Sequence, residues 1–157
     1  MGVVTYEFEV TSLVAPTRLF KAFVLEGAKV YPKAAPHAIK SVELEGDGKP
    51  GSIVKINFVE GLPFQYMKHM IGGHDESNLS YSYSLIEGGP LGDKLEKISY
   101  ENQFVADASG GSVCKSSIKF YTIGDYVITE IKALIQRSEV VYKAIEAYLL
   151  ANTDACN

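Results

Sequence analysis

The chain has no tryptophan, two cysteines and three histidines among its 157 residues, and nowhere a hydrophobic run of the roughly 20 residues that a membrane-spanning helix needs. Cys114 and Cys156 are too few to staple a scaffold of this size. The second also stands beside a C-terminus expected to be loosely ordered, so a reducing compartment fits best. His37, His69 and His74 share no metal-ligand spacing and have no cysteine near them, so neither a metal site nor a cofactor is expected. Basic charge is scarce as well: 15 Lys and Arg face 19 Asp and Glu, for a net charge of −4 and a pI near 5.4. Such a chain lacks the positive footprint that phosphate backbones or anionic membranes attract, which argues against nucleic acid and membrane insertion. The opening MGVVTYEFEV has neither a charged n-region nor an apolar h-region. No secretory leader is expected there, and a cytoplasmic location is.

What is present describes an ordinary globular chain, 46% hydrophobic and 22% charged, long enough for one full core. We expect one domain over 1–157. Val4, Tyr6, Phe8 and Val10 alternate with Thr5, Glu7, Glu9 and Thr11, the period-2 signature of a half-buried strand. Pro16 opens a helix carrying Leu19, Phe20, Phe23 and Val24, with Gly27 as its end; a second short helical piece follows over Ala28 to Ala34, limited by Pro32 and Pro36. From Ile39 to Tyr121 come strands separated by turn residues, as in an antiparallel meander. Leu79, Tyr81, Tyr83 and Leu85 form the cleanest of these, and Cys114, Ser116, Ile118 and Phe120 the last. Between Phe64 and Ile71 the parity breaks: Phe64 and Tyr66 fall on one face, Met67, His69 and Ile71 on the other, which predicts a bulge and a bent sheet. Finally Ile131, Leu134, Ile135, Ser138, Val141, Tyr142, Ile145 and Leu149 recur at steps of three and four. They mark a long amphipathic helix with Glu139 and Lys143 paired on its outer face and Asn152 as its stop. Strands in one run followed by one long helix imply α+β, the helix laid on one sheet face.

The apolar faces are rich in tyrosine, and each buried phenol needs a partner. Tyrosines at the rim of a filled core would give the same pattern, which on pattern alone is the favoured reading. The segments MGVVTYEFEVTS, PTRLFKAFVL, GDGKPGSIVKINF, GLPFQYMKH, YSYSLIEGGPLGDKLEKISYE, GGSVCKSSIKFYTIGD and KAIEAYLLAN, taken in order, closely resemble the class-ten pathogenesis-related family of plants over the whole chain. That resemblance implies a helix-grip fold: a seven-stranded curved antiparallel sheet wrapped around the long C-terminal helix, with two short helices in a V and a large cavity between. It also implies a monomeric carrier, linked to plant defence, of small amphiphilic metabolites or hormones such as flavonoids, cytokinins and brassinosteroid-like molecules. Matched by position, the lining would come from Phe23, Tyr31, Ile39, Ile56, Phe58, Phe64, Tyr66, His69, Tyr81, Tyr83, Ile98, Tyr100 and Asn102, with Phe120, Ser138 and Val141 from the last strand and helix.

Three features of the sequence bear on other readings. The loop Gly46, Asp47, Gly48, Lys49, Pro50, Gly51 could nest an anion on its amides, but it lacks the Gly-Lys-Ser/Thr ending of a nucleotide loop and no helix follows it, so a rigid hairpin turn is expected. Lys49 replaces the glycine usual in the family. Some relatives are described as ribonucleases; the matching positions here are Val54, Glu96, Glu146 and Tyr148, and a valine where the family places a lysine leaves little support for that chemistry. Related norcoclaurine synthases use a lysine at about the place of Lys115, yet strand alternation turns Cys114, Ser116 and Ile118 inward and Lys115 outward. The chain is also about two residues shorter than its relatives between Gly124 and Ile131, where a reshaped cavity entrance is expected.

Overall fold

Alternation carries the chain out of its N-terminus as strand β1 (Gly2–Ser12), with Val4, Tyr6, Phe8 and Val10 half-buried and the residues between them exposed. The computed structural model describes residues 2–124 and 128–157, and of 128–130 the backbone only. The reshaped entrance expected before the long helix falls mostly on residues outside that part.

Pro16 takes the first position of helix α1 (Pro16–Phe20), where its missing N–H costs nothing, and the helix widens into a π turn over Lys21–Leu25. Glu26 breaks it, and the Glu26 carbonyl then accepts from the Lys29 and Val30 amides to start helix α2 (Gly27–Ala34). Gly27 therefore opens the second helix rather than merely ending the first. Six strands follow, each beside the next in the chain: β2 (Ile39–Glu45), β3 (Ile53–Phe58), β4 (Tyr66–Asp75), β5 (Ser80–Gly88), β6 (Leu95–Ala106) and β7 (Ser112–Thr122); β1 joins the far edge beside β7, giving one antiparallel sheet ordered β1-β7-β6-β5-β4-β3-β2. Leu79 is not in β5 but ends the turn before it, with φ of 53°.

The sheet bends where β4 meets β5. Ile86 on β5 has no partner between the pairs Lys68 to Glu87 and His69 to Leu85, and Gly72 on β4 has none between Ile71 to Tyr83 and Gly73 to Ser82. A Cβ on Gly72 would stand 3.1 Å from the Ser82 carbonyl oxygen, so the bulge brings the two strands close there and glycine suits it. The expected bulge between Phe64 and Ile71 is not where the sheet bends: Tyr66, Met67 and His69 keep simple alternation, and the irregularities lie at Ile86 and Gly72. Phe64 precedes the strand altogether.

Helix α3 (Ile128–Ala151), 24 residues and about 36 Å long, spans the concave face. Ile131, Ile135, Tyr142, Ile145 and Leu149 are buried at helical spacing. They divide into two groups. Ile131 and Ile135 meet Leu85, Leu91, Leu95, Ile98, Ile118 and Phe120 at one end. Tyr142, Ile145 and Leu149 meet Val14, Leu19, Phe20, Val30 and Phe104 at the other. Midway, the position that continues the buried stripe is the exposed Ser138. Lys143 pairs with Glu146 at 3.4 Å rather than with the expected Glu139. The helix stops at Asn152, whose side-chain amide donates to the Tyr148 carbonyl. The tail then folds back: Arg18 donates to the carbonyls of Leu149, Asn152 and Ala155, and Cys156 is 9% exposed. A C-terminus expected to be loose is instead tied down, because one guanidinium satisfies carbonyls that the helix end leaves open.

Candidate functional site

Because the two core clusters plug the ends of α3 and leave its middle unfilled, a hollow of about 570 Å³ remains between helix and sheet, within the range of roughly 300–1,000 Å³ usual for small-molecule pockets. Its floor is a run of rings along β5 and β6. Tyr83 and Tyr100, opposite each other in the register, stack at 4.4 Å and 12°. Tyr81 continues the run, parallel to Tyr83 within 8° and 5.9 Å from both Tyr83 and Phe104. From β4, His69 sits 4.7 Å from the Tyr83 ring.

The polar groups of this floor are unspent. Among the described residues the hydroxyls of Tyr81, Tyr83 and Tyr100 have no hydrogen-bond partner. Asn102 accepts from the Ser116 hydroxyl at 2.7 Å, which leaves its amide N–H groups free to donate. Burial raises the pKa of all three phenols, so each stays protonated and able to donate. Burial acts oppositely on His69, lowering its pKa to about 4, so the imidazole is neutral at ordinary pH. His69 is half-buried and lines the hollow. Tyr31 differs: its hydroxyl is already given to the Phe23 carbonyl at 2.9 Å. Tyr142 differs again, stacked on Phe23 at 5.3 Å with a buried hydroxyl that finds no partner among the described residues.

Most of the expected lining residues meet at this hollow: Phe23, Tyr31, Ile39, Ile56, Phe58, Phe64, His69, Tyr81, Tyr83, Ile98, Tyr100, Asn102, Ser138 and Val141. Two do not. Met67 faces inward in step with His69, so Tyr66 turns outward, where its hydroxyl donates to Glu87 at 2.7 Å and Lys55 lies 5.1 Å from its ring. Phe120 does point inward, but Ile131 and Ile135 fill the space before it and leave it 1% exposed. Sequence reasoning missed lining from Phe8, Val10 and Met67, although their alternation had marked Phe8 and Val10 as inward. It also missed Leu62, Pro63 and Arg137, which come from a connection and an exposed helix edge where no periodicity exists to find them.

The glycine-rich loop lies apart, as the hairpin between β2 and β3. Its nest is filled by its own Asp47, which accepts from the Lys49 amide at 3.0 Å and from the Ser52 hydroxyl at 3.2 Å. Ser52 in turn accepts from the Gly48 amide. Gly46, at φ of 121°, would place a Cβ 2.6 Å from the Ser52 hydroxyl, and the left-handed positions fall on Gly46, Gly48 and Gly51 and not on Lys49. A lysine is therefore accommodated without strain. A second, open groove of about 740 Å³ crosses the opposite side of the sheet past Glu7, Glu9, Asp75, Glu101 and Lys115. Lys115, paired with Glu9 and Gln103 in the ladder, is exposed there and does not line the hollow.

Comparison with known proteins agrees with this architecture. The chain is 51% identical, over 100% of both lengths, to the major pollen allergen Bet v 1-B of Betula pendula. The crystal structure of Ara h 8.0201 superimposes with a TM-score of 0.85 at 40% identity, covering 96% of this chain and 99% of that one. The norcoclaurine synthase of Thalictrum flavum, solved with dopamine and hydroxybenzaldehyde, superimposes with a TM-score of 0.73 over 96% of this chain and 88% of its own. At 21% identity that likeness shows the shared fold alone. Residues 1–152 match the pattern of one family. The chain belongs to the pathogenesis-related protein Bet v 1 family.

Proposed function

We propose that this protein binds, stores or carries a small, largely flat, amphiphilic molecule in the hollow beneath α3. The observation that carries this reading is the ring floor with its unspent donors: stacked Tyr83 and Tyr100, Tyr81 beside them, and the Asn102 amide, all lining one apolar chamber. A rigid aromatic or steroid-like body offers area to such a floor at small entropic cost, and one or two acceptors on it would pair hydroxyls that otherwise wait for water. Flavonoids, cytokinins and brassinosteroid-like hormones have that shape. We place the protein as a monomer in the cytoplasm, where its role in defence would be to hold such molecules. Among the described residues no helix is long and apolar enough to cross a membrane.

Condensation of an amine with an aldehyde has less support, because the lysine that chemistry calls for, Lys115, points to the outer groove and no lysine lines the hollow among the described residues. A cavity-seeking dye should be taken up at one equivalent and displaced by a flavonoid or a cytokinin. Failure of uptake and of displacement would remove this function.

A further inference from the structure

Where the hollow meets solvent, one side chain differs in kind from the rest of the lining. The interior is without formal charge: its titratable groups are phenols, a thiol and an imidazole, all held neutral by burial. Arg137 and Glu139 alone among the described lining residues carry charge, and both are exposed on α3. They do not share a direction, since two residues along a helix are about 200° apart around it. Arg137 leans across the rim. Its guanidinium carbon lies 5.3 Å from the centre of the Phe64 ring, and Phe64 lines the hollow together with its neighbours Leu62 and Pro63 in the connection between β3 and β4. Arg137 has no carboxylate partner among the described residues. A guanidinium laid on a ring face keeps its N–H edge free for two parallel bonds to a carboxylate or sulfonate, a geometry that lysine does not offer.

Resting on the binding function proposed above, the geometry points to Arg137 as an anchor for an acidic head group. The preferred ligands would then be anionic amphiphiles that enter body first, put their apolar part against the Tyr83 and Tyr100 floor, and leave a carboxylate or sulfonate at the rim. Burying that anion deeper would cost far more than the rim does, because the interior offers only neutral donors and no countercharge.

A pair of dyes with the same body separates this anchor from the cavity itself: anilinonaphthalene sulfonate and its uncharged parent, phenylnaphthylamine. The measured quantity is the ratio of their affinities in low salt. In Arg137→Gln this ratio should fall about three- to fivefold, the worth of an exposed ion pair, further in Arg137→Glu, and less in Arg137→Lys, which keeps the charge without the fork. Raising the salt concentration should lower the ratio in the native protein and leave it nearly constant in Arg137→Gln. A ratio equal in the native protein and in both the Gln and Glu variants overturns the anchor while leaving the cavity function standing. Failure of both dyes to bind overturns both.

Discussion

The two halves of α3 do opposite work with the same kind of stripe. Toward its C-terminus, Ile145 and Leu149 are fully buried against Leu19, Phe20 and Phe104, and Arg18 closes the end by donating to three carbonyls. In its middle, Ser138 and Val141 line the hollow together with phenol hydroxyls that have no partner among the described residues. The first region resembles the core of any small domain. The second gives up burial and hydrogen bonds that a filled core would have, and its tyrosines stack on one another along the sheet, Tyr83 on Tyr100 and Tyr81 parallel to Tyr83. Stability therefore resides in the ends, and the binding proposed above would reside in the middle, a division that substitutions can test directly.

The largest contrast should come from removing bulk. Leu149→Ala, in the sealed end, should cost about 3 kcal/mol in denaturant unfolding, whereas Val141→Ala, beside the hollow, should cost about 1 kcal/mol or less because little packing is lost there. Equal losses would erase the distinction between the halves. Next in size, Arg18→Ala should lower stability by about 1–2 kcal/mol through the orphaned carbonyls. It should also speed labelling of Cys156 by a thiol reagent, since the guanidinium holds the turn that covers it.

Smaller effects probe the middle. Tyr83→Phe should leave unfolding stability within about 0.5 kcal/mol, since its hydroxyl has no partner among the described residues, yet weaken a hydroxylated flat ligand about fivefold. A stability loss with unchanged affinity would mean that the hydroxyl serves the fold. The last effect is read as a slope of stability against pH. The His69 pKa is about 4 in the folded state against 6.5 for an ordinary imidazole, so between those values the unfolded chain binds the extra proton. The contribution is whole above 6.5 and is lost as pH falls toward 4; the slope of stability against pH in that window should shrink in His69→Gln, and an unchanged slope would place its origin elsewhere.

How much of this was legible in the sequence follows from which residues repeat. Period-2 alternation placed Val4 to Val10, Tyr81 to Leu85 and Cys114 to Phe120 on the inner face, and steps of three and four placed Ile131 to Leu149 against it. Alternation also turned Lys115 outward correctly. The hollow itself was not legible from pattern, because an inward residue looks the same whether it meets a neighbour, as Phe120 does, or empty space, as Tyr100 does. That came from family resemblance. Tyr66 was misplaced because Phe64, in the connection before β4, was counted as part of the strand and carried its parity forward by two. The Arg18 clasp joins residues more than 130 positions apart. No local pattern announces such a contact, just as none announced the meeting of Arg137 and Phe64.

Two hollows compete to hold a ligand: the tyrosine-floored chamber under α3 and the open groove past Glu9, Gln103 and Lys115 on the other side of the sheet. Intermolecular nuclear Overhauser contacts with a bound flavonoid decide between them. The ring protons of Tyr83 and Tyr100, with the Val141 methyls, should show contacts to the ligand while Gln103, Lys115 and Ser117 show none; contacts confined to those outer residues would contradict the account.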